Sequence, residues 1–395
     1  MKGESLNSSF FDKVYERRNT GSIKYDSKLK GINADNLIPM WIADMDFKSP
    51  PAVEKALLDI TKHGFFGYTD TDSDFDTVLC NWYHRHMKWA IQPEWIIKTP
   101  GVMFGISAAI RALTDPSDSI LICQPVYYPF EKTILANGRH LVVSELLLID
   151  GQYTFDFEDI EHKIVQNNVK MFLLCSPHNP IGRVWTEYEL KKIGDICLRH
   201  GVYIVSDEIH CDFIYSGFRH VPIASLSDEI SKITITCLAP TKTFNLAGLQ
   251  AASIIVPNNN LRKKIRETCL STGYSHLNIM TIAATKAAYQ HGDEWLKELL
   301  TYLQGNIAVL KDAFPKQCDI SLIQPEGTYL MWLDCRKLGL KDEELRTLFL
   351  EKAGVWLHSG STFGIGGSGF MRMNIACPRI TLETAVHRIK QALVL

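Results

Sequence analysis

Short, continuously apolar segments recur between residues 100 and 255, and they constrain the fold more than any other feature of this chain. They predict strands at 119–126, 169–177, 202–209, 232–240 and 249–257. Segments 105–115 and 186–201 have the three-to-four spacing of helices. Because a strand that is apolar on both faces must be covered on both sides, this alternation predicts an α/β fold with a mainly parallel sheet flanked by helices.

The rest of the chain predicts a second, smaller unit. Apolar residues at helical spacing run from about 281 to 314, with few residues that would break a helix. The tail, 320–395, mixes two predicted strands with two predicted helices, which suits a small α+β domain. Since 395 residues are enough for two hydrophobic cores, we expect a large domain at 48–285 and a smaller domain formed by 1–47 and 286–395, with a cleft between them.

Charge and cysteine usage exclude several classes of partner. The 42 basic and 44 acidic residues give a net charge of -2 and are spread along the chain, so we expect no nucleic-acid or membrane partner. No run of eighteen apolar residues occurs and the first residues are polar, which predicts a cytoplasmic protein. The ten cysteines are single, without a C-x-x-C pair, and therefore predict buried reduced thiols and no metal. Small molecules or other protein chains remain as partners.

Three polar residues of different chemistry follow predicted strands. Asn179, Asp207 and Lys242 each come directly after an apolar segment, and open parallel sheets bind ligands beyond the carboxyl ends of their strands. An amide, a carboxylate and an amine form the set that a pyridine-aldehyde cofactor such as pyridoxal 5'-phosphate (PLP) needs. Lys242 would form the Schiff base, Asp207 would keep the pyridine nitrogen protonated, and Asn179 would donate to the ring's phenolate oxygen.

A phosphate-binding helix start is predicted near residue 101. Pro100 and Gly101 interrupt the chain, and the backbone amides near Val102 and Met103 then begin a helix whose positive end would hold the phosphate dianion. The hydroxyl of Thr241, beside the lysine, would add a further donor.

Two more side chains complete the predicted site. The ring of Tyr127 would lie on the face of the cofactor and counts among the catalytic candidates with Lys242 and Asp207. Arg372 would offer a planar fork to the carboxylate of a substrate. Each residue alone also has an ordinary structural explanation: a solvated lysine, a helix-capping aspartate, a packed tyrosine. The order and spacing of the whole set favour the cofactor site.

Six motifs occur in the order typical of one enzyme superfamily. They read GVMFGI, PVYYPF, SPHNPIGRVW, VSDEIH, PTKTFNLAGLQ and MRMNIACP. The chain resembles the fold-type I PLP enzymes, the aminotransferase class I/II superfamily, over nearly its whole length. This resemblance implies the PLP-dependent transferase fold (type I), and it gives Asn179, Asp207, Lys242 and Arg372 the roles already described.

Two longer segments resemble a particular group within that superfamily. IPMWIADMDFKSPPAV and SDEIHCDF are similar to the MalY/PatB group of cystathionine β-lyases and cysteine-S-conjugate β-lyases. The resemblance implies that the segment around Ile42 and Ala43 closes over the substrate, and that Tyr68 reaches the cofactor phosphate of the partner subunit in a homodimer. Many aminotransferases carry an arginine eight residues after the lysine, where this chain has Gln250. The absence of that arginine should weaken phosphate binding by about 1.5–3 kcal/mol.

The expected reaction is β-elimination from an amino acid with sulfur on its β-carbon, such as cystathionine or cystine. It yields a thiol, pyruvate and ammonia, with the freed Lys242 as general base on the α-hydrogen. Transamination begins with the same proton abstraction, so an aminotransferase is an alternative. A regulatory protein that keeps the fold and acts through protein contacts is another, although no helix-turn-helix domain or basic arm is visible.

Other polar pairs have simpler explanations. His84 and His86 should point to different faces of one helix and make a poor metal pair. Asp44 and Asp46 resemble a cation site but lack the glycine of a calcium loop. His210 either supports the site around Asp207 or packs in the core.

Overall fold

The larger of two main sheets has seven strands. In the computed structural model, residues 9–29, 34–315 and 318–394 are described. Residues 1–8, 30–33, 316, 317 and 395, all assigned above to the small domain, lie outside them. The seven strands are β1 (Ile96–Thr99), β2 (Ser119–Gln124), β3 (His140–Glu145), β4 (Val169–Cys175), β5 (Tyr203–Asp207), β6 (Thr234–Leu238) and β7 (Ala252–Ile255).

The strand order in this sheet is β1-β7-β6-β5-β4-β2-β3. The five neighbouring strands β3, β2, β4, β5 and β6 all pair in parallel. This confirms the predicted mainly parallel sheet. Strand β7 is antiparallel to both neighbours. Only the short helical turns Pro240–Thr243 and Ala247–Leu249 separate β6 from β7. Because a parallel connection needs a longer crossover, the chain returns in the opposite direction.

Helices cover both faces of this sheet. Alternate residues of β4 enter two different cores: Phe172 and Leu174 pack on one face, and Met171 and Leu173 on the other. A capping box formed by Thr186 and Glu189 starts one covering helix. The helices of six or more residues are Pro51–His63, Ser73–Met87, Val102–Leu113, Pro129–Ala136, Phe157–Gln166, Glu187–His200, Asp228–Ile233, Asn259–Ser271, Ile279–His291, Asp293–Ala313, Asp342–Thr347 and Arg379–Val394.

The helical stretch predicted at about 281–314 is confirmed, but it is divided into two helices. The structure has two helices, Ile279–His291 and Asp293–Ala313, which meet at Gly292. A Cβ atom at this position would lie 2.3 Å from the carbonyl oxygen of Ala288 and 2.4 Å from the ring of Phe244. Only glycine fits there, because the chain turns where the Phe244 ring packs against the backbone.

The second main sheet is antiparallel and belongs to the carboxyl-terminal part of the chain. Its strands, in spatial order, are Ser321–Leu322, Leu330–Asp334, Phe370–Asn374 and His358–Ser359. A separate two-residue strand near the amino terminus, Ile38–Pro39, pairs in parallel with Val355–Trp356. The amino-terminal segment therefore packs with the carboxyl-terminal part of the chain. A small hairpin joins Leu147–Ile149 to Gln152–Thr154.

Two further observations concern membrane-spanning helices and the pairing of cysteines. Within the described ranges, no helix has both the length and the apolar character needed to cross a membrane. All ten cysteines are unpaired; eight are buried, Cys80 is half-buried and Cys318 is exposed.

Candidate functional site

A cavity of about 450 Å³ opens beyond the carboxyl ends of β4, β5 and β6. This volume is typical of a small-molecule site. Ten of the twelve residues predicted for the site line the cavity: Ile42, Ala43, Gly101, Val102, Met103, Tyr127, Asn179, Asp207, Lys242 and Arg372. The fold thus brings together groups that lie far apart in the chain, such as Trp41 and Arg372, which are 331 positions apart.

Lys242 projects into this cavity from the short helix Pro240–Thr243, directly after β6. Its Nζ donates a hydrogen bond to the carbonyl oxygen of Ala43 at 2.8 Å. Burial lowers the pKa of the Lys242 amine to about 8; Arg372 also lowers it, while Asp44 and Asp207 oppose the shift. About a tenth of this amine is therefore neutral, and nucleophilic, at about pH 7, far more than for an ordinary lysine.

Asp207 is the last residue of β5, and its side chain is buried. Burial raises the pKa of its carboxyl group to about 7, against the hydrogen bond from the Ile209 amide and the charge of Lys242. That amide donates to Oδ1 at 3.1 Å and is the only donor to this carboxylate among the described residues. A buried carboxylate with so little compensation is suited to a cationic partner in the cavity.

Arg372 and Asn179 are directly bonded to each other. Arg372 Nη1 donates to Asn179 Oδ1 at 2.9 Å, and Nη2 donates to the carbonyl oxygen of Trp41 at 2.7 Å. Burial lowers the pKa of Arg372 to about 10, so the guanidinium is still cationic at neutral pH. Its Nε is buried and has no partner among the described groups, so the Nε N–H is available to an anionic ligand.

The helix Val102–Leu113 begins at the cavity wall, as predicted. No side chain caps it, so the backbone amides of its first turn point toward the cavity with the positive end of the helix dipole. No heavy atom lies within 4 Å of the place that a Cβ of Gly101 would occupy. The first turn is therefore open to an anion such as a phosphate group. Gln250 also lines the cavity and brings no charge to it.

Thr241 and Tyr68 are not brought into the cavity of this chain. Thr241 is buried beside the lysine but does not line the cavity. Tyr68 lies between the helices Pro51–His63 and Ser73–Met87, with its side chain fully exposed. Their contacts with the phosphate stay predictions.

Sequence reasoning missed several residues of the cavity wall. His358 pairs with Arg372 across two antiparallel strands, and burial lowers its pKa to about 3, so it is neutral there. Trp41 and Tyr128 also line the wall. Trp41 and Tyr128 carried a signal, because they adjoin Ile42 and Tyr127 within the quoted motifs, whereas strand register alone brings in His358. His210 lines the cavity too, with its Nδ1 unpartnered.

Comparison with known proteins agrees with this geometry. The chain is 43% identical over 387 residues to the cystathionine beta-lyase PatB of Bacillus subtilis, which covers 97% of this chain and 99% of that protein. It is 32% identical to Protein MalY of Escherichia coli over 390 residues, 97% of this chain and 98% of that protein. Among solved structures, cystalysin from Treponema denticola, which contains a pyridoxal 5'-phosphate cofactor, superposes with a TM-score of 0.94 at 34% identity, covering 97% and 98% of the two chains.

A family-wide comparison gives the same result. The sequence profile of the family described as Aminotransferase class I and II matches residues 35–389. The match spans both main sheets and every predicted site residue. This chain therefore belongs to the aminotransferase class I and II family and has its fold, as the order of its motifs predicted.

Proposed function

We propose that this protein is a PLP-dependent carbon–sulfur β-lyase that releases a thiol, pyruvate and ammonia from cystathionine-like or cystine-like amino acids. The observation that carries the proposal is the meeting of Lys242, Asp207 and Arg372 in one cavity. The names of the relatives, cystathionine beta-lyase PatB above all, support the choice of reaction.

The residues present fit PLP. The buried, sparsely bonded carboxylate of Asp207 would face the ring nitrogen, where a positive charge compensates its burial. The open first turn of the helix after Gly101 would hold the phosphate. Asn179 and Tyr127 would orient the ring, and Lys242 would carry the covalent bond. When bound, the cofactor supplies an electron-withdrawing ring that stabilises negative charge on the substrate's α-carbon.

The chain's own groups then divide the work of binding and proton transfer. Arg372 binds the substrate carboxylate through its guanidinium N–H groups, which fixes the α-carbon near Lys242. The Lys242 amine, with a pKa lowered to about 8 by burial, takes the α-proton at Nζ as a general base. The segment around Ile42 and Ala43 covers the substrate and excludes water.

Capture of PLP by the apoprotein should accelerate with pH up to about 8 and then level off. Only the neutral amine attacks the aldehyde, and burial lowers the pKa of Lys242 to about 8, with Arg372 adding to the shift and Asp44 and Asp207 opposing it. Below that value the neutral fraction falls about tenfold per pH unit. Stopped-flow absorbance from about pH 6 to 10 measures the rate. A rate that kept rising to the top of this range would indicate an ordinary exposed lysine and contradict the assignment.

Replacing Arg372 with lysine should raise KM for the amino acid by roughly 10- to 100-fold, with a smaller change in kcat. The variant keeps a charge but loses the planar fork, and a charge-assisted hydrogen bond contributes about 1.5–3 kcal/mol. Steady-state kinetics on the holoenzyme measure both constants. Arg336→Lys is the matched control, because Arg336 is exposed, lies outside the cavity lining, and contacts Asp334 and the ring of Phe370 through its guanidinium. Equal KM values in the two variants would remove Arg372 from the substrate site.

A product assay tests the function itself. The holoprotein is incubated with cystathionine, cystine and other sulfur amino acids, and pyruvate and free thiol are measured without an added keto acid. Release of both is the expected result. Strict dependence on a keto-acid acceptor would identify an aminotransferase instead. If the holoprotein released pyruvate and thiol only at background level from every amino acid tested, and also captured a protein partner, the result would favour a regulatory role.

We further propose a homodimer with the active sites at the subunit interface, in which Tyr68 reaches the partner's cofactor phosphate. Phe65 and Phe66, beside Tyr68, are also largely exposed, as expected of a surface that another subunit covers. Light scattering gives the oligomeric state, and weaker PLP binding by a Tyr68→Phe variant would support the contact. We place the large cofactor-binding domain at 48–285, the small domain at 1–47 and 286–395, and the protein in the cytoplasm.

A further inference from the structure

The backbone of the segment 41–46 holds the two main cationic groups of the site. The carbonyl oxygen of Trp41 accepts a hydrogen bond from Arg372 Nη2 at 2.7 Å, and the carbonyl oxygen of Ala43 accepts one from Lys242 Nζ at 2.8 Å. A shift of this segment therefore moves both the acceptor of the lysine and the support of the substrate-binding fork.

Two cations from the amino-terminal part of the chain bind this segment, which Asn374 also holds through the carbonyl oxygens of Ile42 and Asp44. Arg17 Nη1 donates to Asp44 Oδ1 at 2.8 Å and to Asp46 Oδ1 at 2.9 Å, and Nη2 donates to Asp44 Oδ2 at 3.1 Å. Lys24 Nζ donates to Asp46 Oδ2 at 2.8 Å and to the carbonyl oxygen of Asp44 at 2.9 Å. We call these four residues the amino-terminal clamp. Asp44 and Asp46 are thus salt-bridge partners and form no cation site.

Burying the charged side chains of the clamp costs desolvation free energy, which apolar side chains in the same place would not cost. Lys24 is only 1% exposed and Asp46 8%, and desolvation offsets much of the attraction between two such charges. Buried ion pairs are therefore weak stabilisers of a fold, whereas their directional bonds define one position of the chain. Arg17 adds a bidentate contact with Asp44 and a bond to the carbonyl oxygen of Met45 at 2.8 Å, so the segment 41–46 has little freedom to shift.

We propose that Arg17 and Lys24 are positioning residues for the reaction: through Asp44 and Asp46 they hold the segment 41–46 where its carbonyls support Lys242 and Arg372. This inference rests on the proposed function of the cavity. Neither cation lines the cavity, so both act only through the segment that they hold.

The effect of losing the clamp should be larger on substrate binding than on folding. A misplacement of about 1 Å near reacting groups costs on the order of 100-fold in rate. We expect Arg17→Gln to lower kcat/KM by roughly 10- to 100-fold, mainly through KM because the Arg372 fork loses its support. Amide hydrogen exchange in 41–46 should accelerate at the same time. Arg17→Lys keeps the charge and should restore part of both properties.

The experiment compares holoenzyme variants by steady-state kinetics and by hydrogen exchange with mass spectrometry. Arg18→Gln is the matched control, because Arg18 is the next residue and its guanidinium bonds the carbonyls of Asp35 and Leu37. Faster exchange at 41–46 with raised KM in Arg17→Gln, and neither change in Arg18→Gln, supports the proposal. Unchanged exchange or unchanged KM in Arg17→Gln overturns it. If Arg17→Gln does not fold, the same two measurements are read from Arg17→Lys.

The two proposals fail in different ways. Absence of thiol release by the wild-type holoenzyme would reject the lyase function, although the exchange rates of 41–46 could still be compared among the variants. Normal thiol release together with identical exchange and KM in Arg17→Gln and wild type would reject only the positioning role.

Discussion

Replacing Lys242 with alanine should abolish covalent retention of PLP and reduce thiol release by about 10²- to 10⁴-fold or more, the usual contribution of a general base. Lys242 is the only lysine among the described residues that line the cavity, so no neighbouring amine can replace it as nucleophile or base. Borohydride reduction of the wild-type holoprotein, followed by peptide mass spectrometry, should place the modified lysine at position 242. The variant should give no modified peptide.

A second lysine controls for general effects of the substitution. Lys170 is half-buried, lies outside the cavity lining and donates a hydrogen bond to Asn168, so Lys170→Ala should retain the cofactor and full activity. Addition of a small primary amine should partly restore turnover to Lys242→Ala, because the cavity stays intact and lacks only its base. Borohydride labelling of any lysine other than Lys242 would overturn the assignment of the site.

Replacing Asp207 with asparagine should lower kcat by roughly 10- to 100-fold while the fold is kept. Asparagine has nearly the same shape and can still accept the hydrogen bond from the Ile209 amide. It removes the negative charge that, in the proposed site, would hold a proton on the cofactor's ring nitrogen, and a charged hydrogen bond contributes about 1.5–3 kcal/mol. Steady-state kinetics give kcat, and the pH titration of the cofactor's absorbance should shift, because the ring nitrogen loses its anionic partner.

The same substitution should stabilise the apoprotein at neutral to alkaline pH. Burial raises the pKa of Asp207 from 3.8 to about 7 in the folded apoprotein. The folded state therefore binds more protons than the unfolded state between these values, and its stability falls as the pH rises through this window. Denaturant unfolding at about pH 8 should give Asp207→Asn apoprotein the larger free energy of unfolding. Asp195→Asn, at an exposed position paired with Lys191, should change neither stability nor kcat.

Full kcat in Asp207→Asn would contradict the proposed role of this carboxylate, whatever its effect on stability. Loss of kcat together with lower stability of the apoprotein would point to a structural role instead. The expected combination, lower activity with a more stable apoprotein, is typical of a residue whose burial serves catalysis.

The amino-acid sequence by itself determined the α/β class and most of the candidate site. Strands that are apolar on both faces can be stable only in a covered sheet. The apolar pattern within each short segment was therefore enough to predict such a sheet. Parallel strands end at the same edge, and Asn179, Asp207 and Lys242 could therefore be placed together from their positions after three strands. The helix start at Gly101 could also be predicted, because helix-starting signals extend over only a few residues.

Tertiary structure alone decided the features that depend on contacts between distant parts of the chain. Strand β7 has the same apolar pattern as its neighbours, and its reversal follows from the short connection to β6. Gly292 divides a helix because Phe244 packs against it. His358 meets Arg372 through strand register, and Arg17 reaches Asp44 across 27 positions. Sequence periodicity reports which face of an element is buried, whereas the partner that buries it is chosen only when the whole chain packs.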